Sequence, residues 1–281
     1  MNKGTHTLLI NCSDRKGLIS DISRVLYEHD LNIVSNREFV DPDEQKFYMR
    51  TEFTGELSHQ ENFLQELKEQ LPPDADIELP TQDKKKVVVF ASKEHHCLSE
   101  ILIKNFYSDL NIDVQAVISN HDHLQDLVDK FHLPYHFIPS HHKGREEHEE
   151  EIKEVLKDYE FDYIILAKYM RILSPAFVQD LQNRMINIHH SFLPAFAGAD
   201  PYQQAYQRGV KIIGATSHFV TSELDQGPIL VQNTKNIDHT YRVQDIKRAG
   251  KDIETLTLMR ALQLVTENRV FINGNKTIIF S

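Results

Sequence analysis

Two rhythms of apolar and polar residues run along the chain, and one gives way to the other near residue 80. Before that point, short strand-like runs flank two amphipathic helices. "HTLLINC" (His6–Cys12) reads as a strand. In "SDRKGLISDISRVLYEHDL", polar capping residues precede Leu18, Ile22, Val25 and Leu26 at helical spacing. "NIVSNREFVD" and "KFYMRTEFTG" predict two strands joined by Asp41-Pro42-Asp43-Glu44. "HQENFLQELKEQL" predicts a second helix and "DADIELP" a short last strand. The order β-α-β-β-α-β predicts a ferredoxin-like α+β domain over residues 1–80.

A polar stretch, residues 81–86, reads as a linker. From residue 87 to 281 the rhythm changes. "VVVFAS" is a continuous apolar run, as expected of a parallel strand covered on both faces. Helices are then expected in "CLSEILIKNFYSD", "HLQDLVDKFH" and "EEHEEEIKEVLKDY", alternating with strands in "IDVQAVIS", "PYHFIP" and "DYIILAK". That alternation predicts a Rossmann-like α/β domain with a mostly parallel sheet. "NIHHSF", a helix in "YQQAYQRG", strands "IIGATSHFV" and "PILVQNTKNI", a long helix from Val243 and a closing "RVFINGNKTIIF" complete it.

Composition narrows the class. The 281 residues carry a formal net charge of −11, with two cysteines and sixteen histidines. A strongly acidic chain with only short basic clusters such as Lys84-Lys85-Lys86 is a poor nucleic-acid partner. No apolar run approaches a membrane span and the start is not signal-like, so a cytoplasmic protein without membrane partners is expected. Cys12 and Cys97 cannot supply a disulfide framework or a zinc cluster, and no metal site is expected. The histidines of "HFIPSHHKGREEHEEE" read as a solvated loop feeding an acidic helix start.

"INIHHSFLPAFAGADPY" carries the chemistry. Asn187 and His189 lie two apart at a strand end, so both side chains share a face and can address one carbonyl oxygen. Asn187 offers a neutral amide donor, and His189 either donates or accepts. Ser191 beside His190 suggests a nucleophile, but no G-x-S-x-G elbow surrounds it, and it reads as loop support. Cys97 opens an apolar helix face and reads as a buried thiol.

"INIHHSFLPAF" together with "SELDQGPI" resembles the folate-dependent formyltransferase family, whose fold joins an Asn-x-His strand end to an Asp-x-Gly-Pro loop. The resemblance implies Asn187, His189 and Asp225 as the catalytic set, with Asp225 brought near by the fold. "LAKYMRIL" resembles the family's folate-lining loop and implies Met170, Arg171, Ile172 and Leu173, with Gly227, as folate contacts. With the domain that precedes it, the chain looks like the family's deformylase branch. That implies hydrolysis of 10-formyltetrahydrofolate to tetrahydrofolate and formate, supplying one-carbon and purine metabolism without a metal or organic cofactor. His190 stands where many formyl-transferring relatives have Pro and deformylase-like sequences have His. Asp200 is a departure: similar sequences often carry Arg there, and a carboxylate changes how the folate's glutamate tail is met if the tail passes it.

Relatives that formylate glycinamide ribonucleotide carry a Gly-rich loop after the first strand, whose amides cradle phosphate. No glycine occurs here from Val87 to Ser119, so water is the simplest acceptor. Two alternatives stay open: a formyltransferase with another acceptor, and a non-catalytic folate and amino-acid sensor. "CSDRKGLISDI" and "DLNIVS" resemble an ACT domain, which implies an amino-acid effector held by Asp14, Gly17, Leu18, Asn32 and Ile33. Gly17 would permit close backbone approach at a helix start. Such modules commonly pair between subunits, so a homo-oligomer formed through this domain is expected.

Overall fold

The structure, a computed structural model, describes residues 4–57, 59–194 and 201–280. Asp200 lies outside them. The chain divides between Asp83 and Lys84 into two compact units.

The first unit runs β1 (Thr5–Ser13), α1 (Leu18–Glu28), β2 (Asn32–Asp41), β3 (Lys46–Thr54), α2 (Gln60–Gln70) and β4 (Asp76–Glu78). Its sheet has the order β2-β3-β1-β4, the predicted ferredoxin-like arrangement. Leu18, Ile22, Val25 and Leu26 of α1 and Phe63 and Leu67 of α2 seal one face, packing on Leu8, Ile10, Phe47, Met49 and Phe53. Edge strand β2 differs from its neighbours: Ile33, Val34, Phe39 and Val40 are all exposed.

The second unit runs β5 (Lys85–Ala91), α3 (His96–Tyr107), β6 (Ile112–Ser119), α4 (Gln125–Asp129), β7 (Tyr135–Phe137), α5 (Arg145–Leu156), β8 (Tyr163–Ala167), α6 (Pro175–Asp180) and β9 (Met185–His189). It continues with α7 (Pro201–Arg208), β10 (Ile212–Phe219), β11 (Ile229–Asn236), α8 (Val243–Thr266), β12 (Val270–Asn273) and β13 (Lys276–Ile279). The seven-stranded sheet has the order β11-β10-β9-β8-β5-β6-β7. Strands β7, β6, β5, β8 and β9 are parallel, whereas β10 runs antiparallel to both β9 and β11. Val87 to Ala91 are fully buried, which explains their unbroken apolar run.

Three elements depart from the sequence reading. The linker 81–86 ends early, because Lys85 and Lys86 already belong to β5: the Lys85 amide donates to the Asn111 carbonyl, and Lys86 exchanges hydrogen bonds with Asp162. Helix α6 starts on a Ser-Pro signal, with the Ser174 hydroxyl accepting from the Phe177 amide. The closing segment folds into the hairpin β12–β13, turning at Gly274 in the left-handed region. Among the described residues no helix is long and apolar enough to cross a membrane.

Candidate active site

The site forms where the sheet switches direction. Antiparallel pairing sets His218 of β10 directly opposite Asn187 of β9, and Thr216 opposite His189. Opposed residues share a face, so Asn187, His189 and His218 converge. His218 Nδ1 donates to the Phe219 carbonyl at 2.8 Å, which leaves its Nε2 lone pair to accept from Asn187 Nδ2 at 3.2 Å. That bond fixes the Asn187 amide with its nitrogen on the His218 side.

Asp225 enters from the loop between β10 and β11. Its Oδ2 lies 3.3 Å from His189 Nδ1 and its Oδ1 3.7 Å from His218 Nε2. The His189 ring, and after it the His218 ring, outweigh burial and hold the Asp225 carboxyl well below the usual carboxylate range. An ionised carboxylate beside Nδ1 places the His189 proton on that nitrogen. His189 Nε2 is therefore the open atom: it is buried and has no partner. The loop is fastened at its base, where the Phe219 amide donates to the Pro228 carbonyl. Gly227 is required there because a Cβ would stand 1.8 Å from the Phe219 carbonyl oxygen.

A cavity of about 360 Å³ covers this cluster. Asn187, His189, His218 and Asp225 line its floor; Lys168, Met170, Arg171, Ile172 and Leu173 line one wall and Thr221 and Leu224 another. Met170, Ile172 and Leu224 are exposed apolar side chains at its mouth. The 168–173 loop is tied at Met170 and again just beyond Leu173. The Met170 amide donates to Ser92 Oγ at 3.0 Å while Ser92 donates to Asn120 Oδ1 at 2.7 Å. Beyond Leu173, the Ser174 amide donates to Glu149 at 2.6 Å.

His190 is stacked on His189 with centroids 4.9 Å apart and also lines the cavity. Burial, then the charges of Lys168 and His189, lower its pKa to about 4, so it is a neutral packing ring near pH 7. Ser191 is buried, and its carbonyl accepts from Thr216 Oγ1, which also accepts from the Leu193 amide. Thr216 thus pins the turn that follows His189.

Behind this wall lies a second carboxylate, Glu254 of α8. It accepts from His96 Nε2 at 2.7 Å and from the Tyr202 hydroxyl, and lies 3.3 Å from Lys168 Nζ. Burial pushes its pKa up, but the His96 hydrogen bond, the Lys168 charge and the Tyr202 hydrogen bond overcome this and hold it at about 2. Gly250, one helical turn before Glu254, makes room for the Tyr202 ring, which would lie 2.3 Å from a Cβ. His96, Cys97 and Glu254 approach as three metal-type ligands. The chemistry does not suit a cation: the carboxylate already holds the Lys168 ammonium, and burial pushes the Cys97 thiol far above its ordinary value.

The ordered set Asn187, His189 and Asp225 is thus assembled in one place, and Met170 to Leu173 line its cavity. Gly227 does not; its role is the close approach to Phe219. In the first unit Gly17 has φ 92° at the start of α1, but no atom lies within 3.8 Å of where a Cβ would be, so backbone conformation and not close approach requires glycine. Leu18 points into the core at 2% exposure and is not available to a ligand. Asp14, Asn32 and Ile33 are exposed at the surface. His218, Lys168 and Glu254 were not singled out by the sequence reading. A polar residue in the buried strand "IIGATSHF" is the one local signal for His218.

Comparison with known proteins agrees with this geometry. The Formyl transferase family model matches residues 85–262 and the ACT domain model residues 6–71. A formyltetrahydrofolate deformylase of Haemophilus influenzae is 50% identical, covering 97% of this chain and 98% of that protein. The chain belongs to the formyltetrahydrofolate deformylase family. A Bacillus subtilis deformylase is 40% identical over 100% of the chain and 95% of its own length. The crystal structure of a deformylase from Pseudomonas syringae matches with a TM-score of 0.93 at 36% identity, covering 99% of this chain and 94% of that one. A glycinamide ribonucleotide transformylase from Symbiobacterium toebii matches 72% of this chain and 97% of its own, with a TM-score of 0.67 at 29% identity.

Proposed function

We infer that this deformylase-family chain hydrolyses 10-formyltetrahydrofolate to tetrahydrofolate and formate. The observation that carries the reading is His189 Nε2, buried and unpartnered, with its ring's other nitrogen held by an ionised Asp225. The folate ring system lies against Met170, Ile172 and Leu173, and its formyl carbonyl faces Asn187 and His189. His189 Nε2 takes a proton from water as the water oxygen bonds to the formyl carbon. The Asn187 Nδ2–H not used on His218 donates to the oxygen that gathers negative charge. Asp225 steadies the imidazolium. The carbon–nitrogen bond then breaks as the oxyanion re-forms its double bond and His189 returns the proton to the departing folate nitrogen, leaving tetrahydrofolate and formic acid, which ionises to formate in water. No metal or organic cofactor is called for in this sequence of steps.

The first unit is proposed to receive an amino-acid effector and to join subunits. The exposed apolar residues of edge strand β2 support pairing with a second copy, since an unpaired apolar edge is a template for another strand. Glycine and methionine are the effectors of choice, because both report on one-carbon supply, and a cytoplasmic location fits that chemistry. The deciding experiment mixes the protein with 10-formyltetrahydrofolate alone and follows tetrahydrofolate and formate. Turnover only after glycinamide ribonucleotide or aminoacyl-tRNA is added would establish a transferase instead.

A further inference from the structure

A second cavity of about 520 Å³ adjoins the catalytic one of about 360 Å³, and the two share Lys168, Met170 and His190. None of Asn187, His189 and Asp225 lines the second. At that volume it has room for a small molecule larger than water. Among the described residues, the shared side chains stand between such a molecule and the reacting carbon.

The shared side chains are not equivalent. Lys168 is drawn off by its ion pair with Glu254 at 3.3 Å, and Met170 is 61% exposed. His190 is held by rings. It stacks on His189 with centroids 4.9 Å and planes 21° apart, and meets Tyr202 at 6.2 Å and 48°. Both neighbours are themselves fixed. His189 lies 3.3 Å from the Asp225 carboxylate, and the Tyr202 hydroxyl donates to Glu254 while its ring presses on Gly250. A ring held by two fixed neighbours is a plug and not a gate. Burial and the charges of Lys168 and His189 keep it neutral near pH 7, so it is not expelled when His189 gains a proton in turnover.

Hydrolysis needs such a plug. His189 Nε2 can take a proton from whichever nucleophile reaches the formyl carbon, and an unprotonated amine is a stronger nucleophile than water. The base therefore does not choose between them. Selection against an amine has to come from a clash that water escapes.

We propose that His190 is the residue that makes the site specific for water: its ring fills the passage between the two cavities and denies a primary amine the approach to the formyl carbon. The proposal rests on the hydrolytic reading and gives His190 no part in proton transfer. With the ring absent, the amine nitrogen bonds to the formyl carbon, the carbon–nitrogen bond to folate breaks, and His189 passes one amine proton to the departing folate nitrogen. The products are then a formamide and tetrahydrofolate.

The test follows 10-formyltetrahydrofolate labelled with ¹³C in the formyl group, by NMR, with methoxyamine added as a small amine that is unprotonated near pH 7. The readout is the share of label in N-methoxyformamide against formate, which does not depend on how far a substitution slows the enzyme. The wild type is expected to give formate alone. H190A is expected to divert label in a share that grows with methoxyamine and exceeds the wild-type background by roughly ten- to a hundredfold. H190N disturbs the packing less, is expected to divert a smaller share, and decides the matter if H190A does not fold. H190F refills the space with an uncharged ring and is expected to return formate alone. A purely structural role for His190 would lower the rate and leave the share unmoved. Formate alone from both H190A and H190N, or transfer by the wild type or H190F equal to that of H190A, would overturn the plug. Absence of formate from the wild type without amine sinks the hydrolase reading instead.

Discussion

Asp225 and Glu254 are carboxylates in adjoining cavities, each gripped by histidine and each held ionised, yet they are built for different work. Glu254 sits inside a helix at 1% exposure, bound at short range to His96, Lys168 and Tyr202. Asp225 sits on a loop at φ 56°, with looser contacts of 3.3 and 3.7 Å to two imidazoles and no lysine. Glu254 is a charge-balanced anchor, since its ammonium partner travels with it. Asp225 is matched only by groups that change protonation. A carboxylate whose partners can gain and lose a proton supports chemistry, and one with a fixed cation supports structure.

The sharpest way to break this distinction is D225N. Asn tolerates the left-handed backbone at 225, so the fold should survive. Turnover should fall by roughly 10²–10⁴, the scale for losing a positioned acid–base group. Wild-type turnover would remove Asp225 from the mechanism.

E254Q should do its damage elsewhere. It leaves the Lys168 ammonium buried without its carboxylate, at a cost of about 3–5 kcal/mol, read in denaturant unfolding. An unchanged unfolding midpoint would mean that Glu254 anchors nothing. N187A is expected to lower turnover by roughly 10²–10³, as for one oxyanion donor, with a smaller change in KM. A purely raised KM would make Asn187 a binding residue only.

The smallest effect is on pH. His190 is neutral in the folded state with a pKa near 4 against an ordinary value of 6.5. The unfolded chain therefore binds more protons in this interval, so its contribution is intact above about pH 6.5 and is lost as pH falls toward 4. Asp225 and Glu254 are depressed carboxylates, whose contributions are lost only on falling below the ordinary carboxylate range. H190N should flatten the difference between pH 6.5 and 4 by on the order of 2 kcal/mol. Parallel stability curves for H190N and the wild type would place the ring in solvent.

Local patterning made most of the architecture readable. The helical spacing of Leu18, Ile22, Val25 and Leu26 and the apolar run from Val87 each report burial directly. Helix α4 is shorter than its apolar pattern suggested, since the chain leaves helix before His132, whose φ is 56°. The site was legible where its residues are close in sequence. Asn187 and His189 share a face by period alone, but His218 reaches Asn187 only through the antiparallel pairing of β9 with β10. Lys168 and Glu254 come from separate elements, and no local period records that they meet. The motif implies Gly227 as a ligand contact, whereas its steric role needs the Phe219 carbonyl in place.

The fastening at the base of the Asp225 loop has an entropic meaning. With Phe219 and Pro228 hydrogen-bonded and Gly227 pressed against the Phe219 carbonyl, the carboxylate searches little space before it meets His189. Its effective concentration at the imidazole is then far above anything a dissolved carboxylate attains, since well-oriented groups reach roughly 10⁵–10⁸ M. In a variant that lacks the Asp225 side chain, acetate added to the solvent would be a feeble substitute even at the limit of its solubility.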